Sequence, residues 1–157
     1  MKLTVIAVGK PGALLAEAIG EYERRAVRYW PLEFIEVRQE RGSHGNDEAV
    51  RAAESQRALE RVPSGHRIFA LTRTGDPLSS SRLARMLDAM ATGAQPGAAF
   101  LIGGALGLST DALRTAERRL RLSTLTLPHD LARLVLAEQL YRAGTIVRRE
   151  PYHKGEG

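Results

Sequence analysis

The feature that most constrains this chain is a change of hydrophobic period that recurs five times. Short apolar segments, alternating or continuous, give way each time to stretches with apolar residues three and four apart, the marks of strand and of helical face. Residues 2–9 carry the first strand pattern and end in Gly9-Lys10-Pro11-Gly12. Leu14, Leu15, Ala18, Ile19, Tyr22 and Ala26 then mark one face of a helix reaching about Tyr29, stopped by Pro31. A strand over Leu32–Val37, a polar loop over 39–46 and a polar helix from Asn46 or Asp47 to about Val62 follow. The third strand is predicted over His66–Leu71, with a turn over 72–77. The next helix is capped by Ser79, Ser80 or Ser81 and runs to about Met90. Ala98–Ile102 reads as the fourth strand, Ser109 opens a helix with Asp111 in its first turn, and Leu122–Leu127 reads as the fifth strand. The longest apolar-rich helix runs from Leu131 to about Val147.

Strands that alternate with helices point to an α/β fold: one domain over residues 1–157, with a mostly parallel sheet covered by helices on both faces. A chain of 157 residues is long enough to bury a core without staples. It needs none, because cysteine is absent, which also excludes a cysteine nucleophile and thiolate metal sites. No apolar run reaches the roughly 18 residues that span a bilayer. The N-terminal apolar stretch is too short for a secretory signal and has no A-x-A site. A soluble, cytoplasmic protein with no membrane partner is the expectation.

Charge narrows the partners. The formal net charge is +5, and Lys2, Lys10 and Lys154 are the only lysines among 23 basic residues. Arginine's planar fork suits phosphate, although a genome that favours arginine codons gives the same excess. The positive surplus concentrates after residue 112, a modest pointer to an anionic partner such as nucleic acid.

Ligands of open α/β sheets bind beyond the carboxyl ends of strands, and three regions there could carry chemistry. Gly103-Gly104-x-x-Gly107 follows a strand and precedes a capped helix, so its amides could approach a ligand, or it could be a plain turn. It is not G-x-G-x-x-G, and no P-loop occurs. Leu122, Ser123, Thr124, Leu125, Thr126 and Leu127, with Pro128-His129 after them, offer hydroxyls between apolar walls or else a core strand. The last helix carries Arg133, Glu138 and Arg142, and Tyr152, His153 and Lys154 follow in the tail. Glu138 and Arg142 stand at the spacing of a helix ion pair. An aromatic ring among cations is also what single-stranded RNA recognition uses. The four histidines show no i,i+4 pair and no H-E-x-x-H, so no metal is expected.

These residues together resemble the SPOUT methyltransferases, within them the family that methylates N3 of a pseudouridine in 23S ribosomal RNA. The likeness runs over essentially the whole chain. Met1-Lys2-Leu3…Ala7-Val8-Gly9-Lys10 looks like the family's N-terminus, and Leu101-Ile102-Gly103-Gly104…Gly107-Leu108 like its cofactor loop. Its C-terminal signature is matched by Leu125-Thr126-Leu127-Pro128-His129…Arg133…Glu138-Gln139-Leu140-Tyr141-Arg142-Ala143 and Pro151-Tyr152-His153-Lys154. Leu106 stands where the family commonly has a polar or acidic residue, and Gly155-Glu156-Gly157 extend the usual end.

The resemblance implies a C-terminal trefoil knot, which periodicity cannot reveal. It implies S-adenosylmethionine as cofactor, with contacts from Leu71, Gly103, Gly104 and the segment Leu122–Leu127. It implies 23S rRNA within the assembled ribosome as substrate, and a homodimer whose active sites are each completed by the partner. The imide N–H at N3 is a poor nucleophile until its proton leaves, so a base or a field favouring the anion must help. His153 is the first candidate base and His129 the next. Arg142 and Lys154 are candidates for phosphate or anion stabilisation and Tyr152 for base stacking, with Arg133 and Glu138 in the substrate-binding set. Two other readings stay open: a SPOUT enzyme acting on transfer RNA, and a catalytically silent, ribosome-associated RNA-binding module.

Overall fold

Every strand of the sheet runs in the same direction. The computed structural model describes residues 1–41 and 45–153, and of His153 the backbone alone. The elements are β1 (Lys2–Val8), α1 (Ala13–Val27), β2 (Leu32–Val37), α2 (Asp47–Leu59), β3 (His66–Pro77), α3 (Ser80–Thr92), β4 (Gly97–Ile102), α4 (Thr110–Thr115), β5 (Arg118–Arg121) and α5 (His129–Val147), then a 3₁₀ turn at Pro151–His153. The five strands lie in the order β2-β1-β4-β3-β5, and each neighbouring pair is parallel.

Alternation along β1 explains the two layers of core, because successive strand residues face opposite sides of a sheet. Leu3, Val5 and Ala7 share a buried cluster with Ala26 of α1, Leu83 and Leu87 of α3 and Leu136 and Leu140 of α5. Ile6 and Val8 pack on the other side with Ala58 of α2 and Ala112 of α4. Helices therefore cover both faces, and β4, at the centre, is buried along its whole length. Ser79 and Ser109 cap α3 and α4, each accepting the amide proton of the residue three ahead at 3.2 Å.

Four expectations need correction. The fifth strand is Arg118–Arg121, and residues 122–127 form an irregular segment after it. An edge strand needs few apolar residues: here Leu120 alone is buried, while Arg118 pairs with Asp76 at 2.9 Å. The third strand runs on through the expected turn to Pro77, with a register shift between Leu71 and Asp76. Gly75 permits that course, since a Cβ there would lie 2.6 Å from the carbonyl carbon of Arg119. The last helix begins at His129, two residues early. Leu14, read as part of a buried face, is 93% exposed. Five residues separate it from the buried Ile19, which turns it about 140° around the helix. Part of the 39–46 loop lies outside the described residues.

Candidate functional site

With all strands parallel, their carboxyl ends share one edge, and the sheet order sets the end of β3 between those of β4 and β5. Ala70 is in register with Leu101, and Leu71 with Leu120. Leu71, inside β3 just before its register shift, therefore lies beside the exits of β4 at Gly103 and of β5 at Leu122. β3 separates the other two, so the ends of β4 and β5 are not adjacent.

Gly103 and Gly104 are buried, and the Gly107 N–H donates to the Gly104 carbonyl at 3.0 Å. A Cβ on Gly103 would lie 2.5 Å from the carbonyl carbon of Gly107 and 2.8 Å from the Leu108 nitrogen. Glycine at 103 is required by closure of the turn on its own backbone. Leu106, at the tip, is exposed.

Residues 122–127 are held loosely. Leu122 packs on the core, the Ser123 hydroxyl accepts the Leu125 N–H at 2.9 Å, and Thr124, Leu125 and Thr126 are exposed, Leu125 by 75%. Leu122 also lines a cavity of about 350 Å³ with Leu78, Ser79, Ser80, Val135 and Gln139. The cavity is bounded by the start of α3, the exit of β5 and the middle of α5. The Thr72 hydroxyl, next to Leu71, is buried with no partner among the described residues.

A run of hydrogen bonds leads from the cavity to the tail. The Ser80 hydroxyl donates to the Gln139 side-chain carbonyl at 2.5 Å, and the Gln139 amide donates to Glu138 at 2.5 Å. Glu138 also accepts Arg142 at 2.8 Å and the Tyr152 hydroxyl at 3.1 Å. The Arg142 guanidinium lies over the Tyr152 ring, 4.9 Å from its centroid, and the Tyr141 ring is 4.5 Å from that of Tyr152. Burial and the Glu138 carboxylate push the Tyr152 phenol up to about 12, so at neutral pH it remains a donor. Glu138, Arg142 and Tyr152 therefore form one cluster, with the expected helix ion pair inside it.

The structure does not bring Arg133 and His129 into that cluster. Arg133 is buried, 6% exposed, and divides its fork between Glu23 of α1 and Glu36 of β2, each at 2.7 Å. Its reading as a substrate contact is corrected: it has no free face for RNA and cross-links three elements. His129 lies 3.0 Å from the carboxylate of Asp130, whose other oxygen accepts the Gly12 N–H at 2.8 Å. Nine residues of helix, about 13 Å of rise, separate it from Glu138. Lys154 lies outside the described residues.

Sequence reasoning missed Thr72, Ser80 and Gln139. Ser80 was legible only as a possible cap, and Gln139 only as a member of the C-terminal signature, with no role of its own. Their meeting depends on how α3 packs against α5. Among the described residues no group of acidic residues and histidines is placed to hold a metal, and no helix is long and apolar enough to cross a membrane.

The family described as "Predicted SPOUT methyltransferase" matches residues 1–153. This chain is a SPOUT methyltransferase. It is 45% identical over 155 residues to ribosomal RNA large subunit methyltransferase H of Gemmatimonas aurantiaca, covering 98% of this chain and 100% of the relative. To the protein of the same name from Syntrophotalea carbinolica this methyltransferase is 39% identical, over 98% and 99% of the two chains. Solved structures share the fold at low identity. A probable methylase family protein from Haemophilus influenzae superposes with a TM-score of 0.57 at 12% identity, over 97% of the methyltransferase and 70% of that chain. A probable methyltransferase from Bordetella pertussis gives 0.55 at 18%, over 90% and 95%.

Proposed function

We propose that this methyltransferase carries a methyl group from S-adenosylmethionine to N3 of a pseudouridine in 23S ribosomal RNA, on assembled ribosomes in the cytoplasm. The observation that carries the reading is the hydrogen-bonded run from Ser80 through Gln139 and Glu138 to Arg142 and Tyr152. It ties a ligand-sized cavity to an aromatic and cationic cluster. The substrate follows the names of relatives matched over nearly the full length.

The residues present fit the cofactor. The cavity pairs apolar walls (Leu78, Leu122, Val135) with the polar groups of Ser80 and Gln139, a mixture that suits a ligand with an apolar body and polar ends. Leu71, Gly103, Gly104 and residues 122–127 complete the cofactor set in this reading. When bound, S-adenosylmethionine supplies a methyl group already activated on a sulfonium. The protein's part is to align the acceptor, which proximity makes worth several kcal/mol. Tyr152 stacks the target base, and Arg142, its fork steered by Glu138, stabilises the imide anion. His153 takes the N3 proton, with His129 the second candidate, and Lys154 holds phosphate. The trefoil knot belongs to the same reading, supported by family membership and by β5 lying beyond β3 in the sheet.

The enzyme acts as a homodimer in which the partner completes each site. Supporting this are apolar residues that α1 and α5 leave exposed: Leu14 and Val27 on one helix, Leu131 and Val147 on the other. The test is incubation with labelled S-adenosylmethionine and ribosomes from cells lacking the modification, then mapping of the label. Label at N3 of one 23S pseudouridine is expected. Label in transfer RNA, or none, overturns the proposal.

A further inference from the structure

We infer that a cationic groove at the other end of the same sheet edge takes the phosphodiester backbone of the substrate RNA, an inference that rests on the RNA-methyltransferase reading above. The groove has a volume of about 640 Å³ and lies at the carboxyl ends of β1 and β2, lined by Gly9, Lys10, Glu36, Arg38, Glu40 and Arg41 among others. Its two carboxylates are already engaged. Glu36 accepts the Arg133 guanidinium at 2.7 Å, and Glu40 is paired with Arg57. Lys10, Arg38 and Arg41 are exposed, and none forms an ion pair among the described residues. The concave wall therefore presents three exposed cations against two carboxylates. Glu36 shares Arg133 with Glu23, Glu40 holds Arg57 while also attracting Arg38, and the remaining positive excess focuses potential on whatever enters.

The position fits RNA that is also engaged at the cofactor edge. β1 lies beside β4, and the groove is two to three strand spacings, about 12 Å, from the end of β3. One buried side chain joins the two places. A Glu54 oxygen accepts the Glu40 N–H at 2.9 Å, and the other lies 2.8 Å from where a Cβ on Gly104 would stand. S-adenosylmethionine has no phosphate, so the anion that matches three cations is the RNA backbone. The cofactor's single carboxylate is the competitor to exclude.

The test compares two double variants that each lose two positive charges. Lys10→Ala/Arg38→Ala removes groove cations. Arg61→Ala/Arg114→Ala removes cations near the far ends of α2 and α4, toward the opposite sheet edge. For the groove variant the expected result is a KM for ribosomes raised about tenfold, with kcat and S-adenosylmethionine affinity within twofold of wild type. The slope of log binding against log salt should fall by about 1.4 to 1.8, the loss of two phosphate contacts on single-stranded or duplex backbone. The control variant should match wild type in all of these. An unchanged KM and salt slope overturns the groove. A matching loss of cofactor affinity assigns it to the cofactor carboxylate instead, and an equal KM rise in the control reduces the effect to net charge. If wild type transfers no methyl to ribosomes, the functional reading has failed. Direct binding of 23S RNA fragments by the same variants then decides the groove, and unchanged binding overturns it.

Discussion

A Cβ placed on Gly103 would stand 2.5 Å from the carbonyl carbon of Gly107, so the turn after β4 closes with no room for a side chain. Replacing Gly103 with Val should force Gly107 and Leu108 outward and displace the start of α4. We expect loss of S-adenosylmethionine binding together with a lower Tm, measured by calorimetry and thermal melting. Unchanged affinity would remove the turn from the cofactor site.

Arg133 is a structural cross-link. Arg133→Met leaves Glu23 and Glu36 facing one another without their cation and should cost about 3 kcal/mol. That corresponds to a fall of about 10 °C in Tm for a chain of this size. Methyl transfer per folded molecule should remain near wild type. Lost activity at unchanged Tm would restore the residue to the substrate-binding set.

Gln139 carries the connection between cavity and tail. Gln139→Leu keeps the volume and removes both hydrogen bonds, to Ser80 and to Glu138. Cofactor affinity should fall about tenfold, or about 1.4 kcal/mol, with little change in Tm. Equal affinities in a titration would place the cofactor elsewhere.

Alkaline titration probes the tyrosines around α5. The hydrogen bond to Glu150, with burial, raises the Tyr29 phenol to about 12, against about 10 in an unfolded chain. The raised value means the fold favours the neutral phenol. Its contribution is therefore complete below pH 10 and is lost as pH rises through 12. Chemical denaturation at stepped pH should show that decline, and Tyr29→Phe should flatten it. Tyrosinate absorbance should place Tyr152 in the same late step.

Shared sites can be tested by mixing. Gly103→Val and Arg142→Ala are each expected to be inactive, one for cofactor and one for RNA. If the tail acts on the partner's site, heterodimers contain one intact site and recover at most about half the activity. A dead mixture after proven subunit exchange would confine each site to one chain.

The alternation of periods made the α/β class, the parallel sheet and both helical layers legible, since each rests on local spacing. A cap among Ser79, Ser80 and Ser81 and one at Ser109 were legible for the same reason, and the structure gives the first to Ser79. The fifth strand was not. Arg118–Arg121 has one core residue in four, and its neighbour Leu-Ser-Thr-Leu-Thr-Leu has the apolar and threonine content of a strand, although it follows the strand. Of the candidate site, Glu138 with Arg142 could be read from i,i+4 spacing, and Tyr152 only as a nearby aromatic.

Sequence alone determined which segments bury apolar surface, where the chain must turn, and which residues could carry charge or a proton, because these depend on residue type and short spacing. Tertiary structure decided what those residues do. Arg133 and Arg142 lie on one helix nine residues apart, alike in every local respect. One is buried between Glu23 and Glu36, while the other lies over Tyr152 beside a cavity. The difference is set by which elements pack against each side of α5: α1 and β2 meet Arg133, and the returning tail meets Arg142. Such long-range packing leaves no periodic trace in the sequence.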